Sequence, residues 1–190
     1  MGTAFAYPCF DNKHIVSVVG THLEDNIIDD LNSTNFHSGL NLKIIDEINF
    51  YKYESSEEVL KKKQDLIVLG VSSKGINWVS GVLKKISNNN ELPPLLMLTK
   101  GLSIYENKYE LLVDKLIRLL SHQGVKNINL SAVGGPCLAA GLANRVQSGV
   151  VIANKNIENA NFLKKSLSTN YYRISTTTDI NGVEVCAAIK

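Results

Sequence analysis

Lys100 stands in Thr99-Lys100-Gly101, directly after the apolar run Leu95–Leu98. Open parallel sheets bind ligands outside the carboxyl ends of their strands, so a lysine there points into a crevice. Its ammonium suits a phosphorylated, oxygen-rich ligand. Val71-Ser72-Ser73-Lys74-Gly75 follows another apolar run, Asp65–Val71. Ser72 and Ser73 either line such a crevice or cap the helix that begins near Ile76. Gly134 and Gly135 let a backbone approach a ligand closely, and Pro136 suits a first helical turn. Cys137 follows them as a nucleophile or as a small packing thiol. No histidine neighbours it in sequence, which favours packing. Lys190 closes Asp179–Lys190, a segment whose small residues can pack closely on a sheet and hold a lysine rigidly; a frayed terminal lysine is the generic alternative.

Two weaker signals precede these. Gly2 opens Met-Gly-Thr-Ala-Phe-Ala, a small-residue helix start followed by the strand Ile15–Val19. Glycine, helix and second strand are the back half of a dinucleotide-binding unit, in which a pyrophosphate rests on the helix N-terminus. After that strand, where a carboxylate often holds a ribose, the chain has Gly20-Thr21-His22. Thr21 can hydrogen-bond a ribose or a phosphate, and His22 can add weak positive charge.

The elements needed to position these residues alternate along the chain. Strands are expected at Ile15–Val19, Phe50–Tyr53 (an edge), Asp65–Val71, Leu95–Leu98, Ile128–Val133, Val150–Ala153 and Tyr171–Ile174. Helical spacing runs through Leu23–Leu31, Glu57–Lys63, Ile76–Ile86, Tyr109–Leu120, Pro136–Asn144 and Ile157–Leu167, with a buried helix over Ile180–Lys190. Strands separated by helices of this length predict an α/β fold: a doubly wound, mostly parallel sheet with helices on both faces.

A formal net charge of +2 over 190 residues is too small to imply nucleic acid or a membrane surface as partner. The basic run Lys61–Lys63 reads as a solvated helix end. No apolar run approaches the roughly 20 residues that span a bilayer. The cysteines, Cys9, Cys137 and Cys186, are odd in number and far apart, which fits a reduced cytoplasmic protein. The histidines His14, His22, His37 and His122 lack ligand spacing, so no metal is expected.

In order, GTA at Gly2–Ala4, VSS at Val71–Ser73, TKG at Thr99–Gly101, GGPCLA at Gly134–Ala139 and DINGVEVCAAIK at Asp179–Lys190 resemble the motifs of NAD-dependent glycerol-3-phosphate dehydrogenases. That family reads GxGxxGTA, VPS, TKG, SGPSFA and D-x-x-GVE ending at KN, and the resemblance spans nearly the whole chain. It implies a Rossmann-type cofactor domain over residues 1–178 that lacks its first strand, and the start of a helical substrate domain at 179–190. Both ends are expected to be cut.

The resemblance implies NAD or NADP as cofactor and a small phosphorylated substrate, sn-glycerol 3-phosphate or dihydroxyacetone phosphate, in glycerophospholipid metabolism. It implies a homodimer for the longer protein. Lys190 would be the catalytic lysine, and Lys100 would contact both substrate and cofactor. Gly135 and Cys137 would contact substrate, while Gly2, Thr21, Ser72, Ser73 and Ala139 would contact cofactor. The chain departs from the pattern at Ser72 (a proline in the family), Cys137 (a serine), Ala140 (a glutamate) and Cys186-Ala187 (a glycine pair). The alternatives are another Rossmann dehydrogenase acting on a small hydroxy acid, and a non-catalytic nucleotide-binding module.

Overall fold

A computed structural model describes residues 1–189. Lys190 lies outside the described residues. The chain begins with α1 (Gly2–Asp11), β1 (Ser17–Val19), α2 (Asp25–Thr34), β2 (Phe36–His37), β3 (Leu42–Lys43), β4 (Asn49–Tyr51) and α3 (Ser56–Lys61). Next come β5 (Ile67–Leu69), α4 (Ile76–Ile86), β6 (Leu95–Met97), β7 (Leu102–Tyr105), β8 (Lys108–Leu111) and α5 (Leu112–His122). The last elements are β9 (Leu130–Gly134), α6 (Ala139–Ala143), β10 (Ser148–Ala153), α7 (Ile157–Leu167), β11 (Tyr172–Thr177) and α8 (Ile180–Ala188).

A five-stranded sheet in the order β11-β10-β9-β6-β5 carries the fold. β5, β6 and β9 run parallel, in register Ile67↔Leu95↔Leu130. β6 shows why an unbroken apolar run becomes a central strand. Leu96 joins the core beneath α1 and α7, while Leu95 and Met97 join the core beneath α4 and α5. Both faces are covered, so no position on the strand can be polar. Burying each such side chain contributes about 2 kcal/mol. The helices follow the same logic. Ile76, Val79, Val82, Leu83 and Ile86 form the buried stripe of α4, and Leu112, Val113, Leu116 and Leu120 that of α5.

The sheet is mostly parallel, as expected, with one reversal: β10 pairs antiparallel with β9, at Ile152↔Val133. β11 then returns parallel to β10 through α7. β1 and β4 form their own parallel pair, with Val18 opposite Phe50, and pack their apolar residues on the first core. The Rossmann-type sheet is therefore in two pieces, with β5 at the edge of the larger.

Three expected helices need correction. The one placed at Tyr109 starts at Leu112, because Leu102–Leu111 forms the hairpin β7–β8. Its turn, Glu106-Asn107, holds both residues at positive φ (49° and 60°), the geometry a two-residue hairpin loop needs. The helix expected over Pro136–Asn144 shrinks to Ala139–Ala143, because Gly135-Pro136-Cys137 spends its backbone on a turn in which Cys137 N–H donates to the Gly135 carbonyl. Over its described length, the helix expected to be buried at Ile180–Lys190 buries only Ile180 and Glu184 and exposes Val185 and Ile189.

Candidate active site

The carboxyl ends of β5, β6 and β9 meet at a crevice bordered by the start of α1 and by α8. Gly70, just after β5, has no side chain because none fits. A Cβ there would stand 2.9 Å from the Cα of Gly2, so α1 begins directly against the strand end. The first turn of α1 has no acidic residue and no side-chain cap, leaving its N–H groups and positive dipole end free for an anion. Thr99 anchors the neighbouring turn by donating its hydroxyl to the Val71 carbonyl at 2.7 Å. The chain then turns at Gly101 (φ 126°).

Lys100 reaches across from the end of β6 and donates from Nζ to the Gly135 carbonyl at 3.1 Å. Gly135 holds φ 135°, and a Cβ there would meet the Gly149 carbonyl oxygen at 2.7 Å. Next to it, a Cβ on Gly134 would stand 2.8 Å from Val183 Cγ1 and 3.6 Å from Ala187 Cβ. α8 thus lies on the same strand end that receives Lys100. A cavity of about 20 Å³, room for a water molecule, opens between Phe5, Leu98, Lys100, Gly134, Cys137 and Tyr172.

Burial dominates the titration of the site. It raises the Cys137 thiol pKa, an effect only partly offset by a hydrogen bond to Ser148 and the charge of Lys100. That direction works against a thiolate at Cys137. Glu184 on α8 is buried, and burial pushes its carboxyl up to about 7. Its Oε2 accepts the Val113 N–H at 3.1 Å, capping the start of α5 from another helix.

Residues 1–160 match the family model described as NAD-dependent glycerol-3-phosphate dehydrogenase N-terminus. The chain belongs to this family. It is 27% identical over 190 residues to the NADP(+)-dependent glycerol-3-phosphate dehydrogenase of Archaeoglobus fulgidus, covering all of this chain and 54% of the relative. It is 30% identical over 190 residues to the glycerol-3-phosphate dehydrogenase [NAD(P)+] of Streptococcus agalactiae, covering 53% of that protein. The chain thus spans about half the length of the curated relatives it matches. Its fold is similar to that of glycerol-3-phosphate dehydrogenase from Coxiella burnetii (TM-score 0.78, 20% identity, 97% of this chain and 53% of the other). It is also similar to the Plasmodium falciparum enzyme (TM-score 0.77, 18% identity, 98% and 52%).

The expected site residues come together only in part. Lys100 and Cys137 line the cavity and Gly135 accepts the Lys100 ammonium, while Gly2 lies against Gly70 at the end of β5. Ser73 lies next to Gly101, 3.8 Å from where its Cβ would be. Ser72 accepts the Gly75 N–H through its carbonyl, and no serine side chain caps α4. Ala139 opens α6, which packs on α1. Thr21 follows β1, and its hydrogen bonds stay within its own loop: its N–H donates to Glu24 Oε2 at 2.7 Å, and its Oγ1 accepts the Leu23 N–H. Sequence reasoning missed Gly70 and Glu184. A glycine closing an apolar strand was the available signal for the first. For the second there was none, because its partner is distant in sequence.

Proposed function

We propose that this chain is the cofactor half of an enzyme that interconverts sn-glycerol 3-phosphate and dihydroxyacetone phosphate with NAD or NADP. Residues 1–178 form the dinucleotide domain, and 179–190 begin the substrate domain. Bound NAD(P) supplies the hydride acceptor or donor for carbon 2. The residues fit such a ligand: free N–H groups at the start of α1 suit a pyrophosphate, and Ser72, Ser73 and Lys100 offer donors along strand ends where dinucleotides bind. Thr21 and Ala139 complete the proposed cofactor contacts.

The observation that carries this reading is Lys100 spanning the ends of β6 and β9 to Gly135, beneath α8. Its ammonium orients the phosphorylated substrate beside Gly135 and Cys137. Lys190 stabilises the oxyanion at carbon 2 and gives it a proton on reduction; on oxidation, the neutral amine takes the hydroxyl proton. The cytoplasm and a homodimer are the setting we assign to the longer protein. Lys190→Ala in the full-length protein tests the assignment. Turnover is expected to fall at least about 100-fold with dinucleotide binding retained, whereas near-normal turnover contradicts the role of Lys190.

A further inference from the structure

Glu184 is a buried carboxyl on a helix that is otherwise loosely held. Over its described length α8 buries only Ile180 and Glu184, and it exposes Val185. It rests on Gly134, where a Cβ would stand 2.8 Å from Val183 Cγ1 and 3.1 Å from the Val183 carbonyl oxygen. A glycine seat lets the helix come close but offers no side chain to fix its rotation or its register. α5 is the opposite case. Leu112, Val113, Leu116 and Leu120 are fully buried, so the helix is anchored in the core. Its N-cap residue, Leu111, makes no side-chain cap hydrogen bond. Glu184 Oε2 accepts the Val113 N–H at 3.1 Å, at the second position of α5, where an N-cap side chain ordinarily bonds. A carboxyl is costly to bury, and an apolar residue would meet a packing need alone. What this carboxyl adds is a directional bond from the loosely held helix to the anchored one.

We infer that Glu184 is a positioning residue: its bond to α5 fixes the register of α8, and through α8 the placement of Lys190, into which the chain runs next. The inference rests on the role proposed for Lys190 above. One residue of slip along a helix is about 1.5 Å of travel and about 100° of rotation. A displacement of about 1 Å at a reacting group costs on the order of 100-fold in rate. The bond from Glu184 therefore acts on turnover without touching substrate or cofactor.

Glycerol 3-phosphate kinetics and dinucleotide binding of the full-length protein test this with two variants. Glu184→Gln keeps an acceptor for the Val113 N–H, and Glu184→Met fills the space without one. Glu184→Met is expected to lower kcat about 10- to 100-fold, with KM and dinucleotide affinity within about threefold of the wild type. Glu184→Gln is expected to keep kcat within about threefold. Because Glu184 acts through Lys190, adding Glu184→Met to Lys190→Ala is expected to cost less than about threefold more. A merely structural role would weaken dinucleotide binding along with turnover and add the same loss in both backgrounds. Glu184→Asp, one methylene shorter, takes the place of Glu184→Met if that variant does not bind dinucleotide. Four results overturn the positioning role and leave the reading of Lys190 standing: Glu184→Met at wild-type kcat, Glu184→Gln as damaged as Glu184→Met, an equal loss in both backgrounds, or dinucleotide binding lost in both acceptor variants. Near-normal turnover of Lys190→Ala overturns both.

Discussion

At the residue scale, the site rests on positions that admit one side chain or none. Gly135→Ala combines a positive φ with a Cβ 2.7 Å from the Gly149 carbonyl oxygen. It is expected to cost about 2 kcal/mol or more in a denaturant titration, whereas Gly101→Ala, whose Cβ would make only an ordinary 3.8 Å contact with Ser73, meets only the backbone term. Glu184 gives a signed pH effect. Its folded pKa of about 7 lies above the ordinary carboxylate value, so the folded state holds the proton more tightly than the unfolded chain. Its contribution to stability is full below about pH 4.5 and declines as pH rises through about 7. Glu184→Gln keeps an acceptor for Val113 N–H and has no charge to bury. The variant should therefore gain on the wild type between pH 5 and pH 8 by on the order of 1 kcal/mol, read as a Tm difference of about 3 °C. The placement of Lys100 was legible from its position behind an apolar strand, because strand ends converge in this fold class. The cap by Glu184 was not, since which helix lies across which is settled only by packing.

At the element scale, α1, α6 and β11 are tied by one carboxylate. Asp11, at the end of α1, accepts two hydrogen bonds from Arg145 (2.8 and 2.9 Å) and one from the Tyr171 hydroxyl at 2.6 Å. The Arg145 hydrogen bonds, ahead of that from Tyr171, hold its carboxyl below the usual carboxylate range. The stability this contributes is present above the ordinary carboxylate pKa and is lost as pH falls through the depressed one. Asp11→Asn is expected to lose about 1 kcal/mol at pH 7 and progressively less as the pH falls below the ordinary carboxylate range, measured by urea unfolding across that range. The apolar spacing of Ile76–Ile86 was readable to the residue, and a helix stands at Ile157–Leu167, near where one was expected. The β7–β8 hairpin was not, because Glu106-Asn107 lacks the glycine that usually announces such a turn and Tyr109 fits either period. The reversal of β10 was hidden because strand direction depends on how the short α6 connection returns, and no side-chain pattern encodes that.

At the scale of the whole molecule, the described residues expose large apolar groups, including Ile15, Leu23, Ile104, Tyr109, Leu138 and Ile189. Ile104 and Tyr109 face each other across the β7–β8 hairpin, which packs against α8. Such surface favours association. Light scattering of the 190-residue chain is expected to rise with concentration, and Ile104→Lys with Tyr109→Lys to reduce it. Because the chain spans about half of its relatives, it is also expected to bind dinucleotide without oxidising glycerol 3-phosphate by itself.

We propose that the lysine at the end of β6 works on bound substrate. Its most direct test is kcat/KM for glycerol 3-phosphate in the full-length Lys100→Met protein, with the fold checked by circular dichroism. A fall of at least about 100-fold is the expected result; a value within about threefold of the wild type would contradict the account.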